Sequence, residues 1–289
     1  MRVGYLGPAG TFTHEALLAA GPPRRLQLVE LASIQDAVLA VRDGETERAL
    51  VPIENSLEGA VTATLDTLAL EAPQVAILGE LVYPINQCLI ARRPLEPEQI
   101  ELVCSHPQAS GQCRGYLRSR LPGAKVRAVS STAEAVRIVA GCEAPWAALG
   151  NRLAAELYGC RVLAAGVQDA PDNDTRFIWL GPAGAAASLQ AGPEGWKTAI
   201  VFWGAGSEAP GWLVRCLAEL ADRGINLTRI ESRPLKRGLG AYMFFADLQG
   251  RDRDPAVAEG LAALRSHVEV LRVLGSFPAA AGYRAVRLA

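Results

Sequence analysis

Asn173, Asp174, Thr175 and Arg176 crowd together in the stretch DNDTRFIWLG (172–181), directly ahead of the apolar run Phe177 to Leu180. A hydroxyl beside a guanidinium at the edge of a buried strand offers a proton donor and a fixed cation together. The plainer alternative pairs Arg176 with Asp174 and leaves Thr175 to finish a turn. Three more clusters share this design, polar groups at the end of an apolar strand. GPAGTFTHE (7–15) puts two glycines and two threonines between a strand and a helix, where backbone amides and the helix dipole favour an anion, or where an ordinary tight turn is made. VPIENSLEG (51–59) offers Glu54, Asn55 and Ser56 as a donor cluster or a strand-end cap. SHPQASGQC (105–113) offers His106 and Gln108 at a helix start, with Gln112 one turn on. No Ser-His-Asp or Cys-His arrangement, paired carboxylates or metal-ligand spacing is found, so the chemistry rests on positioned hydrogen bonds. No cofactor is expected.

The elements that must hold these clusters follow from periodicity. Residues 2–7 read as a strand, 13–20 as a helix capped by Thr13, 26–31 as a strand, 33–44 as a helix from Ser33 to Gly44, and 48–55 as a strand. This alternation predicts a mainly parallel sheet with ligand sites at its strand ends. A second set follows, with paired strands over 74–92, a strand at 99–106 and a helix at 108–121. Strands at 125–130 and 146–150 and helices at 131–140 and 151–159 complete it. The expected organisation is a bilobal domain over 1–181, with lobe one at 1–73 plus 165–181 and lobe two at 74–164. A Pro/Gly-rich linker over 182–195 follows. Residues 196–277 then read βαββαβ, a ferredoxin-like order, and 278–289 form a tail.

Lys plus Arg number 29 and Asp plus Glu 30, so no bulk field draws nucleic acid or an anionic membrane. The opening lacks a secretory core and later apolar runs are interrupted, so a cytoplasmic chain is expected, with no membrane partner. The six cysteines are scattered without CxxC pairs and read as reduced core thiols.

Taken in order, GPAGTFT, VPIENSLEG, SHPQASGQC and NDTRF, followed by GINLTRIESRP, resemble prephenate dehydratase with a C-terminal ACT regulatory domain. The resemblance implies a bilobal catalytic domain like the type II periplasmic binding proteins. It also implies loss of water and carbon dioxide from prephenate to give phenylpyruvate, on the way to phenylalanine. It casts Thr175 as proton donor or hydrogen-bond partner to the departing hydroxyl, with Asn55 and Gln108 as catalytic partners. Thr11, Thr13, Ser56, Gln112 and Arg176 become substrate-binding residues; Arg176 either grips a carboxylate or braces its loop through Asp174. In the ACT region the implied effector is L-phenylalanine, held between paired chains by Gly211, Leu213, Asn226, Leu227, Glu231, Ser232, Arg233 and Pro234. A homodimer or homotetramer is implied with it. The family's small residue after Gly211 is here Trp212, an indole that either fills the effector's space or sits outside it. Arogenate dehydratase and a non-catalytic amino-acid-sensing module are the alternative readings.

Overall fold

The computed structural model describes residues 1–20, 26–185, 195–204 and 206–280. Most of the expected linker, 186–194, and most of the tail, 281–289, lie outside the described residues. The chain opens β1 (Arg2–Leu6), α1 (Phe12–Ala19), β2 (Gln27–Leu31), α2 (Ile34–Arg42), β3 (Arg48–Asn55), β4 (Gly59–Ala60), α3 (Thr62–Leu70) and β5 (Val75–Pro84). It then crosses to β6 (Cys88–Ala91), β7 (Leu102–Ser105), α4 (Pro107–Gln112), α5 (Arg114–Arg120), β8 (Lys125–Ala128), α6 (Thr132–Ala140), β9 (Trp146–Gly150), α7 (Arg152–Leu157) and β10 (Arg161–Ala165). A second crossing returns it as β11 (Asp174–Pro182).

Each lobe is a mixed sheet, not the mainly parallel one the alternation suggests. Lobe one runs β2-β1-β3-β11-β5, and lobe two β10-β6-β9-β7-β8. Strands joined by helices pair in parallel, β1 with β2 and β3, and β7 with β8 and β9. The strands flanking the crossings, β11 and β6, insert antiparallel beside them. This is the type II binding-protein arrangement. β5 and β6 do not pair with each other. β5 is hydrogen-bonded to β11 along its whole length, so lobe one continues to Pro84 rather than stopping at residue 73.

Local chemistry accounts for three other differences. Thr11, not Thr13, caps α1, its hydroxyl accepting from the His14 amide while donating to the Leu6 carbonyl. The expected helix over 108–121 is two short helices broken at Cys113, whose φ of −111° and ψ of 18° leave the helical region. α3 was not anticipated, because its cap, Val61, offers no side-chain acceptor and its first turn is Thr-rich.

The C-terminal domain is β12 (Trp196–Trp203), α8 (Trp212–Ala221), β13 (Leu227–Pro234), β14 (Tyr242–Gln249), α9 (Pro255–Arg265) and β15 (Val270–Pro278), its sheet ordered β13-β14-β12-β15. This is the βαββαβ fold of an ACT domain. Helices α8 and α9 cover one sheet face through Ile200, Phe202, Ala246 and Leu248. The other face packs on lobe one. Ala199, Val201, Trp203, Met243 and Phe245 share one apolar core with Val51, Ile53, Leu65, Leu68, Ile178 and Leu180.

Candidate active site

Between the lobes lies a cavity of about 340 Å³. It is bordered by Thr11, Phe12 and Thr13 from α1, Asn55 from β3, Thr175 and Phe177 from β11, and Gln108 and Gln112 from α4. Alternation along β11 decides which residues reach it, since neighbours in a strand point to opposite faces. Phe177 and Trp179 pack beside α1, whereas Ile178 and Leu180 join the core shared with the ACT domain. Thr175 follows the first pair. Arg176 follows the second.

Arg176 therefore does not border the cavity, and its guanidinium is engaged by carboxylates on the opposite face of the strand. Its Nη1 lies 3.0 Å from Glu80 and its Nη2 2.6 Å from Asp247 of the ACT domain. Its Nε is 3.1 Å from Glu54, an ion pair without hydrogen-bond alignment. Burial pulls its pKa down, but the three carboxylates, Asp247 foremost, more than reverse this and raise it, so the guanidinium stays charged. Lys197 adds a second cation on Glu80 at 2.8 Å, and Arg229 lies 3.8 Å from Glu54.

Asn55 is the hub of the site. Its amide nitrogen shares its two hydrogens among Thr175 Oγ1 at 2.9 Å, Asn173 Oδ1 at 2.8 Å and the Asp174 carbonyl at 3.1 Å. Its oxygen accepts from the Leu57 and Glu58 amides. The Thr175 hydroxyl thus receives a hydrogen bond, and no described residue takes its proton. Asn173, buried, donates to Gln112 Oε1 at 2.9 Å and so links this hub to the second lobe. Ser56, expected at the substrate, does not border the cavity. Its hydroxyl donates to the Asp172 carbonyl and accepts from the Asp174 amide, both at 3.0 Å, fastening the loop before β11. Thr11 lines the cavity, but its hydroxyl is spent in the α1 cap; Thr13 and Gln108 keep free side-chain donors.

Among the lining residues no lysine, arginine, aspartate or glutamate occurs. The only ring that titrates there is His106, which caps α4 and is held below the ordinary histidine value by burial. Positive potential comes instead from helix starts. The first residues or caps of α1, α2, α3 and α6, namely Thr11, Ile34, Val61 and Ser131, all border the cavity. Each such end carries about half a positive charge. Sequence reading missed Gln87 and the Ser130-Ser131-Thr132 group; the helix expected over 131–140 marked an element there but not the direction of its start toward the cleft.

A family model described as prephenate dehydratase matches residues 3–185. The chain belongs to the prephenate dehydratase family. A relative from Amycolatopsis methanolica named prephenate dehydratase is 41% identical over 287 residues, covering 98% of this chain and 90% of its own. The solved prephenate dehydratase of Arthrobacter aurescens in complex with L-Phe superposes with a TM-score of 0.88 at 38% identity, covering 100% of this chain and 93% of that one. A structure described as GqqA, a novel type of quorum quenching acylases, superposes at 0.83 with 30% identity, covering 97% and 98%. Family members convert prephenate to phenylpyruvate.

The implied effector residues divide between the two faces of the ACT sheet. Gly211, the cap of α8 in the left-handed region at φ 77°, and Leu213 border a hollow of about 240 Å³ with Tyr242 and Phe244. Ser232 and Pro234 sit opposite Phe244 and Tyr242 in the sheet register. Arg233 turns to the other face and meets Asp66 of α3 with contacts of 3.1 and 3.2 Å, so its guanidinium serves the domain contact and not an effector. Glu231 alternates onto Arg233's face. Asn226 gives its carbonyl to the Gln249 amide, and Leu227 packs on the helix-side core. Trp212 is buried, its Nε1 donating to the His267 carbonyl at 2.7 Å while its ring leans on Phe202 and Phe244. The indole is therefore a core residue that also walls the hollow.

Proposed function

We propose that the cavity is where this chain performs the dehydratase reaction, with Thr175 as the proton donor. The observation that carries this reading is the 2.9 Å bond from Asn55 into Thr175 Oγ1, which leaves the hydroxyl proton available at the cavity wall. Prephenate loses its carboxylate as carbon dioxide, the electron pair moves through the ring, and the hydroxyl at the opposite end leaves as water on a proton passed through Thr175, which regains its own from solvent. The ring gains aromaticity, so the protein has only to hold the carboxylate and assist the hydroxyl. Thr175 assists through a bond that strengthens as the C–O bond breaks. Gln108 and Thr13 supply further neutral donors, and the helix starts attract the carboxylates. Asn55 acts through Thr175 and is a positioning residue. A millionfold acceleration needs about 8 kcal/mol, and each preorganised donor of this kind is worth about 3 to 4.

L-phenylalanine is proposed as the effector, binding beside Gly211 and Leu213 where two copies of the chain meet in a dimer or tetramer. The L-Phe complex of the Arthrobacter relative and the hollow at this position support it. A cytoplasmic setting fits the six free thiols, four of them buried. Among the described residues no helix is long and apolar enough to cross a membrane. The test is phenylpyruvate formation from prephenate, with and without phenylalanine, by the parent and Thr175→Ala. Thr175→Ala should lower kcat by at least about a hundredfold with its melting curve unchanged. A kcat within a few fold of the parent would remove Thr175 from the chemistry.

A further inference from the structure

Gln87 stands where the chain first crosses between the lobes, three residues past the end of β5. Its backbone is fixed from both sides by the return crossing. The Gln87 amide donates to Gln168 Oε1 at 2.9 Å, and its carbonyl accepts from the Val167 amide at 3.0 Å. The residue borders the cavity with only 2% of its surface exposed. Yet the buried Oε1 has no hydrogen-bond partner, and no described residue bonds the side-chain nitrogen. An acceptor held this way, buried without a partner, forfeits its hydrogen bond in the empty protein, and the side-chain nitrogen beside it is left for a ligand. Groups left unpaired at the wall of a site are a frequent sign that the ligand completes them.

We propose that Gln87 is a further substrate-binding residue, its amino group donating to a carboxylate of prephenate from the crossing between the lobes. The inference rests on the cavity being the substrate site. The chemistry favours a carboxylate because the cavity wall contains no cationic side chain, so an anionic ligand must be held by neutral donors. The side chain can turn its nitrogen to the ligand by rotating the terminal amide, which leaves its shape unchanged. Because Gln87 is tied to the return crossing, occupancy there engages both connecting segments at once.

The test compares Gln87→Leu, Gln87→Met and Gln87→Glu with the parent and Thr175→Ala, using steady-state kinetics on prephenate and thermal unfolding without ligand. Removing a group that the empty protein cannot satisfy should leave Tm unchanged or raise it in the Leu and Met variants. The same change should lower kcat/KM about 10- to 100-fold, chiefly through KM, for the loss of one hydrogen bond to an ionised group. Gln87→Glu should fall further, since a carboxylate there repels the substrate. Three results overturn the inference: kcat/KM within twofold of the parent in Leu and Met, a Tm lowered by several degrees in both, or a Glu variant as active as the parent. Parent-like Leu and Met variants beside an inactive Thr175→Ala would defeat the Gln87 role alone. Thr175→Ala with undiminished kcat beside parent-like Leu and Met variants would instead defeat the assignment of the cavity.

Discussion

Asn55 spends its whole side chain inside the protein, donating three contacts and accepting two, and this sets it apart from its neighbour Ser56. Asn55→Ala would strand the Leu57 and Glu58 amides and Asn173 Oδ1, at a cost of about 1–3 kcal/mol for each that remains buried. It should therefore lower both urea stability and kcat, whereas Ser56→Ala, away from the cavity wall, should change kcat by no more than a few fold. His106 provides a pH signature. Burial lowers its pKa, and that of His14, below the ordinary value of about 6.5, so the folded chain binds these protons less readily than the unfolded one. Stability from this source is present above that value and is lost as pH falls from it toward the folded pKa. His106→Asn keeps a helix cap without the titration, and the slope of Tm between pH 7.5 and 5.5 should become shallower. At this scale the motifs were largely legible. Their residue types revealed Thr175, Asn55 and Gln108 as donors, but the sequence did not say which donors were already engaged. Gln87 lies in no motif, and only the tertiary fold shows its carboxamide without a partner.

At the scale of elements, β11 works on two surfaces, with Thr175 turned to the cavity and Arg176 to the ACT domain. Glu54, Glu80 and Asp247 face Arg176, Lys197 and Arg229, so three negative charges meet three positive ones across the domain contact. Arg176→Met removes the central cation and leaves Glu80 and Asp247 buried with less compensation; both are nearly inaccessible. Breaking one partner of such a cluster costs about 3–5 kcal/mol. The expected result is a clear loss in the denaturant midpoint at pH 7, with Asp247→Asn losing less because Arg176 keeps two carboxylates. The alternation that separates Thr175 from Arg176 is present in the sequence as a period of two. What covered each face was not, because Asp247 lies 71 residues further along the chain. The same limit explains β5, whose apolar pattern marked a strand but could not say which lobe would pair with it.

Across the whole molecule the ACT domain is built onto lobe one as a continuation of its core. Arg272 donates to the Leu68 and Ala69 carbonyls at the end of α3, and Asp66 of the same helix holds Arg233 and Lys236. Burial raises the Asp66 pKa, but Arg233 and Lys236 outweigh it and leave the carboxyl below its usual range. Binding at an ACT interface can reach β11 only by a difference in affinity between two arrangements of these contacts. Gly275 of β15 offers a way to disturb them without touching either site. A Cβ there would lie 2.1 Å from the Ile77 carbonyl oxygen of β5, backbone against backbone, with no side chain able to yield. Gly275→Ala should therefore wedge the ACT sheet away from lobe one, at about 1–3 kcal/mol in stability as for other overpacked positions. Because Ile77 lies in the strand hydrogen-bonded to β11, the wedge should also weaken inhibition by phenylalanine more than it lowers uninhibited kcat. Thermal unfolding and phenylpyruvate assays across a phenylalanine titration check both effects, and a variant with the parent's Tm and inhibition curve would show that the domains do not communicate through β15 and β5.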